Sequence, residues 1–201
     1  LTVDGVMQAP GGADEDTTGG FAHGGWLVPF ADQDMGTIVD GWFAKADAIL
    51  LGRSTYEAMF PYWSQVTDPD NIAGVKLNGQ PKYVVSSTLR DPQWHDTTVL
   101  SGNVIEEVTK LKNRPGGELQ IHGSWALARS MHRAGLIDEY RLLVFPVVVG
   151  HGKRLFSDDA PATGFRLADS ATTSTGAVYS ALTPAPFEVG TAEVAGGKEV
   201  V

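Results

Sequence analysis

The chain has 201 residues, 42% of them hydrophobic and 19% charged, which suits one domain with a sizeable core and excludes a disordered chain. It has no cysteine, so a disulfide framework, a cysteine nucleophile and a cysteine-ligated zinc are excluded, and no apolar run approaches the ~20 residues of a membrane span. Lys and Arg number 15 against 24 Asp and Glu, a net charge of −9 without any basic run, which argues against nucleic acid as a partner and leaves an anionic ligand to local cations or helix N-termini.

Leu1-Thr2-Val3 before Asp4-Gly5 reads as the last turn of a strand whose beginning would lie upstream of Leu1. No signal-peptide pattern is visible, and the cytoplasm is the expected compartment. Met7 to Gly25 is a long aperiodic loop rich in Gly, Asp and Thr, of a length that often carries function. Ile38, Val39, Trp42, Phe43 and Ala46 recur at helical spacing. Ala48 to Leu51 is a short apolar run that predicts a buried strand, broken by Gly52-Arg53. Ser54 followed by Glu57 reads as a capping box opening a helix through Met59.

The order then repeats. Tyr83 to Val85 and Thr98 to Leu100 read as strands, and Asn103 with Glu106 as the cap of a helix carrying Val104, Val108 and Leu111. Leu119 to Ile121 predicts a strand, and Trp125 to Ala134 a helix closed by Gly135. Tyr140 to Val149 is the longest apolar run, a central strand in which Pro146 demands a bulge or a register change. Phe165 to Ser174 and Val178 to Leu182 flank Thr175-Gly176 as a hairpin. The segment from 184 to 201 reads as a tail, either an edge strand or disordered. Strands alternating with helices predict an α/β fold: a mostly parallel sheet, helices on both faces and a C-terminal antiparallel hairpin. A single domain over 1–183 is expected.

Three predicted strands end in small polar residues and feed a helix: Gly52-Arg53-Ser54-Thr55, Ser86-Ser87-Thr88 and Gly123-Ser124. Ligands of open α/β sheets bind outside the carboxyl ends of the strands, where helix N-termini favour anions. Ordinary turns favour the same residues. Arg53 sharpens the first loop, with a surface pair to Glu57 as the competing account. Gly150-His151-Gly152-Lys153-Arg154 reads as a bulged turn with solvated charges rather than an anion loop.

These segments together resemble one family. Leu1 to Val6, Leu51 to Glu57, Lys82 to Leu89, His122-Gly123-Ser124, Leu136 to Leu142 and Phe145 to Phe156 look like the dihydrofolate-reductase-like proteins related to the reductase domain of bacterial riboflavin biosynthesis. The resemblance implies a three-layer dihydrofolate-reductase-like fold that binds NADPH, and frequent pairing as a homodimer. It implies that Gly52, Arg53, Ser54 and Thr55 serve cofactor phosphates. Val85, Ser86 and Ser87 would lie by the adenosine-ribose phosphate, and Gly123, Ser124, Trp125, Ala126 and Leu127 would cradle the pyrophosphate. In the riboflavin reductases a glutamate commonly precedes the glycine of the third loop; here that residue is His122. Folate reductases carry an acid early in the first long helix, for which Asp32, Asp34 and Asp40 are the candidates.

Hydride transfer needs position and a proton more than acid–base machinery. Asp4, Asp34 and His122 are the catalytic candidates; Asp4-Gly5 also reads as a plain turn, and His122 also as a hydrogen-bonded structural residue. Trp26, Tyr56 and Phe60 offer rings that could stack on a flat substrate, or simply fill a core. The expected activity is NADPH-dependent reduction of a small heterocycle, pterin- or pyrimidine-like, with no metal. A non-catalytic NADP-binding protein and a reductase using a deazaflavin carrier are the alternatives.

Overall fold

A computed structural model describes residues 1–156, 158–195 and 198–200. Four short strands run side by side through its centre. β1 (Ala46–Gly52), β2 (Lys82–Val85), β3 (Thr97–Leu100) and β4 (Glu118–Ile121) form a parallel sheet in the order β3-β2-β1-β4. Successive side chains of a strand point to opposite faces, and β1 buries both. Ile49 and Leu51 face α1 (Gln33–Ala44), α2 (Arg53–Trp63) and α3 (Ile72–Gly79) through Phe43, Tyr56, Ala73 and Leu77. Leu50 faces α4 (Val104–Lys112) and α5 (Trp125–Arg133) through Val108, Leu127 and Met131.

A second sheet is antiparallel. β5 (Tyr140–Val144), β6 (Gly164–Thr172) and β7 (Val178–Ala185) pair in the order β5-β7-β6. α1 covers one face of this sheet, where Trp42 packs 5.6 Å from Tyr179 and Trp26 meets Phe145 edge-on. A single parallel bridge joins Thr2 to Phe145. Arg141 on β5 grips Glu118 on β4 with two hydrogen bonds of 2.6 and 2.8 Å, a charge-assisted fork between the two sheets.

Several boundaries differ from the sequence reading. Asp32 caps α1, which ends at Ala44, and Ala46 already belongs to β1. α2 begins at Arg53 with Gly52 as its N-cap and no side-chain cap, so Ser54 and Glu57 do not form a capping box; Glu57 binds Arg53 instead. α2 also continues past Met59 to Trp63. α3, capped by Asn71, has no counterpart in the sequence reading. β5 stops at Val144, short of Pro146, whose missing N–H cannot extend a ladder. Within the tail, Glu193–Ala195 (β8) pairs antiparallel with Lys198–Val200 (β9), while 196, 197 and 201 lie outside the described residues. Among the described residues no helix is long and apolar enough to cross a membrane.

Lys82 is the unexpected core residue. Its side chain is fully buried on β2, and its ammonium donates to the carbonyls of Leu77 (2.9 Å) and Gln80 (2.8 Å) at the C-terminal end of α3. It also stands 5.3 Å from the Trp94 ring. A cation satisfies orphan carbonyls there and opposes the helix dipole. Burial nevertheless pulls its pKa down to about 8, against a smaller upward push from Asp96. The unfolded chain keeps that proton up to pH ~10.4. Folding therefore becomes more favourable as the pH rises from about 8 toward ~10.4. Relative to Lys82→Met, the wild type should gain about 1 kcal/mol per pH unit in that window, measured by urea unfolding. Parallel pH profiles for the two proteins would contradict this.

Candidate cofactor and substrate site

β1, β2 and β4 are neighbours and parallel, so the loops that leave their carboxyl ends share one edge of the sheet. Two of these loops interlock. The Gly52 N–H donates to the Ser124 hydroxyl at 2.7 Å, and the Ser124 N–H donates to the Thr55 hydroxyl at 3.1 Å. Gly123 and Ser124 are both left-handed, with φ of 59° and 60°. A side chain at Gly123 would be strained by that φ and would stand 3.4 Å from the Thr55 methyl group. The second loop feeds no helix but turns toward β3, and there the Ser86 hydroxyl accepts from the N–H groups of Thr88 (3.1 Å) and Leu89 (2.9 Å). Arg53 spans the first and second loops. It donates to Glu57 at 2.7 Å and to the Thr88 hydroxyl, with its side chain 46% exposed.

The electrostatics of this edge follow from what is missing at the helix starts. α1, α3 and α4 are capped by Asp32, Asn71 and Asn103, and α1 and α4 carry acids in their first turns. α2 and α5 have neither a side-chain cap nor a first-turn acid. Their free N–H groups and partial positive charges meet at the Gly52–Ser124 contact. In a chain with a net charge of −9, this leaves an acid-poor edge suited to phosphate. The cofactor residues read from the sequence gather here. Gly52, Arg53, Ser54 and Thr55 open α2; Val85, Ser86 and Ser87 end β2; Gly123, Ser124, Trp125 and Ala126 open α5. Leu127 lies beneath them, buried in the Leu50 core.

A cleft of about 440 Å³ continues from the α5 end, lined by Gln8, Phe21, Trp125, Arg129, Lys153 and Arg154 among others. The Trp125 indole donates to the Arg154 carbonyl at 2.8 Å, and the Arg129 guanidinium stands 4.9 Å from the Trp125 ring centre. Lys153 pairs with Asp16 at 2.5 Å. Burial works to raise the Asp16 pKa, but hydrogen bonds from Lys153 and Thr18 outweigh it and hold the acid below its ordinary range. The sequence reading took Gly150 to Arg154 as a plain turn and did not pick out Gln8 or Arg129. A Lys-Arg pair in an acidic chain was the available signal.

The catalytic candidates do not converge on one point. The Asp4 carboxylate accepts from the Thr2 hydroxyl (2.6 Å) and from the N–H groups of Gly150 (2.9 Å) and Val149 (3.3 Å). The Thr2 bond, with those amides, holds Asp4 ionised below its ordinary range. Asp4 thus fastens the turn after β5. Asp34 accepts from the Ser174 N–H at 2.9 Å, and Asp32 takes hydrogen bonds from Met35, Ser174 and Thr175. The Met35 N–H, joined by Ser174 and Thr175, drives Asp32 far below the carboxylate range. Both acids clamp the β6–β7 hairpin onto α1. His122 stacks flat on Phe43 at 4.3 Å and bonds Gln120 Oε1 at 3.0 Å. Burial, aided by Arg141, lowers its pKa to about 4, so the ring is neutral at pH 7 and holds no proton to spare as a charged donor.

The aromatic candidates turn inward. Trp26 is buried and donates to the Gln8 carbonyl at 2.8 Å. Tyr56 is buried, and its hydroxyl accepts from the Trp94 N–H at 3.0 Å. Phe60 stacks on Tyr56 at 5.9 Å within the same core. These rings fill the core, whereas Trp125 and Phe21 line the cleft.

The RibD C-terminal domain family model matches residues 1–179, and the chain belongs to that family. The protein YyaP of Bacillus subtilis (strain 168) is 29% identical over 180 residues, covering 89% of this chain and 88% of its own. A pyrimidine reductase-like protein from Corynebacterium diphtheriae superposes with a TM-score of 0.59 at 15% identity, over 92% of this chain and 89% of that one. Dihydrofolate reductase from Enterococcus faecalis, complexed with NADP(H), superposes with a TM-score of 0.50 at 12% identity, over 74% and 81%. The fold is dihydrofolate-reductase-like.

The depressed pKa of His122 has a measurable consequence. Below pH ~6.5 an unfolded histidine gains a proton that the half-buried ring, stacked on Phe43, refuses until about pH 4. Stability from this group is therefore complete above ~6.5 and falls as the pH drops toward 4. Between pH 7 and pH 5 the wild type should lose about 2 kcal/mol more than His122→Asn in chemical unfolding. Equal losses in the two proteins would contradict this.

Proposed function

We propose that the chain is an NADPH-dependent reductase that reduces a small heterocycle of pterin or pyrimidine type. The reading is carried by the two uncapped, acid-free helix N-termini held together at the sheet edge. That edge fits the cofactor chemically. Glycine at 52 and 123 lets backbone approach a phosphate, two helix ends face it, and Arg53 offers a half-exposed guanidinium beside the Ser86–Thr88 loop. When bound, NADPH supplies the hydride.

The chain's own residues do the rest by placement. The first turns of α2 and α5 hold the pyrophosphate. Arg53, Ser86 and Ser87 take the ribose phosphate. The cleft beside Trp125 receives the substrate, with the cations of Arg129 and Lys153 at its rim. Asp4 and Asp32 are held ionised, Asp34 is engaged by the Ser174 N–H, and His122 is neutral. The proton that follows the hydride therefore comes from water entering the open cleft.

Titration followed by tryptophan fluorescence tests this, with Trp125 at the site as reporter. NADPH should bind saturably and more tightly than NADH. Arg53→Ala should weaken NADPH by roughly 10- to 100-fold, the worth of a charge-assisted bond to phosphate, and leave NADH nearly unchanged. Equal affinity for the two nucleotides, or binding of neither, would overturn the assignment.

A further inference from the structure

One carboxylate oxygen near this edge has no hydrogen bond. Among the described residues, Glu107 Oε2 is the buried side-chain oxygen without a hydrogen bond. Val104, Val108 and Leu111 form the inner stripe of α4 against the Leu50 face, and Glu107 shares that stripe by spacing. An acid in the first turn suits the helix dipole, and exposed Glu106 already serves that purpose. The dipole does not explain a carboxylate on the apolar side with an oxygen shut away from water, which costs free energy unless a donor arrives.

The position of Glu107 limits what that donor can be. α4 starts where β3 ends, and Glu107 Oε1 lies 3.0 Å from where a Cβ on Gly102 would stand. The Ser86 N–H bonds the Leu100 carbonyl, so the Ser86–Ser87 loop adjoins this corner. The α5 helix lies on the same face, with Leu127 in the same core as Val108. Arg53 belongs to α2, on the opposite face. A ribose phosphate drawn to Arg53 would thus leave its base toward α4 and α5. The amino group of adenine is the donor a nucleotide presents there.

We propose that Glu107 accepts a hydrogen bond from the exocyclic 6-amine of the cofactor's adenine and selects adenine over other bases. This rests on the nucleotide reading above. The test compares NADPH with its 6-deamino analogue, in which a carbonyl replaces the amine, by fluorescence titration of wild type and Glu107→Gln. Wild type should bind NADPH about tenfold or more tightly than the analogue, because the carbonyl oxygen meets the carboxylate without a donor. The glutamine amide can offer either NH₂ or C=O, so the preference should shrink or reverse in Glu107→Gln. Saturable NADPH binding with the two nucleotides within twofold in wild type would overturn the role of Glu107 and leave the reductase reading standing. A wild-type preference that persists undiminished in a folded Glu107→Gln would do the same. Binding of neither nucleotide would overturn both. If Glu107→Gln does not fold, the wild-type comparison still decides.

Discussion

The Gly52 N–H and the Ser124 hydroxyl, 2.7 Å apart, tie the ends of two neighbouring parallel strands to the starts of two helices. The return bond from the Ser124 N–H to Thr55 makes the tie reciprocal. Much of the site follows from this contact. It requires Ser124 to be buried and left-handed, which in turn favours a glycine at 123. It also brings two positive helix ends together without a cap or an acid between them. Like partial charges side by side are unfavourable until an anion arrives, which is the physical basis of the proposed affinity for phosphate.

The acids of this chain are employed elsewhere. Asp32 and Asp34 clamp the β6–β7 hairpin to α1, Asp4 anchors the turn after β5, Glu118 joins the sheets through Arg141, and Asp16 meets Lys153. Asp4, Asp16, Asp32 and Glu118 each accept several donors, which stabilises their charged forms. These carboxylates serve as fasteners, and the first turns of α2 and α5 carry no acid of their own.

Much of this was legible from local pattern. The runs around Leu50, Val84 and Ile121 read as short strands, and the three polar loops follow from where those runs stop. Position 146 was read as an interruption, and the strand ends there because proline lacks the ladder donor. α3 escaped because Gly74 and Gly79 weaken its helical signal, and Gly74 is needed only because Val66 packs where its side chain would be, 2.6 Å from the ideal Cβ. Whether Trp26 and Tyr56 stack on a substrate or fill the core stayed open in the sequence, which does not say which way a ring points; both are buried. The role of Lys82 and the orphan oxygen of Glu107 depend on elements brought together from distant parts of the chain. No periodicity announces either. The cleft at Arg129 and Lys153 has the same origin.

The central claim is that the first turns of α2 and α5 act together as one anion receptor. Amide hydrogen exchange resolved to single residues measures it directly, with and without saturating NADP⁺. The account predicts that the amides of 53–55 and 125–127 slow together when the nucleotide is added, because bound phosphate oxygens occupy otherwise unpaired donors. Slowing confined to one helix, or nucleotide binding that leaves both turns exchanging as before, would contradict it.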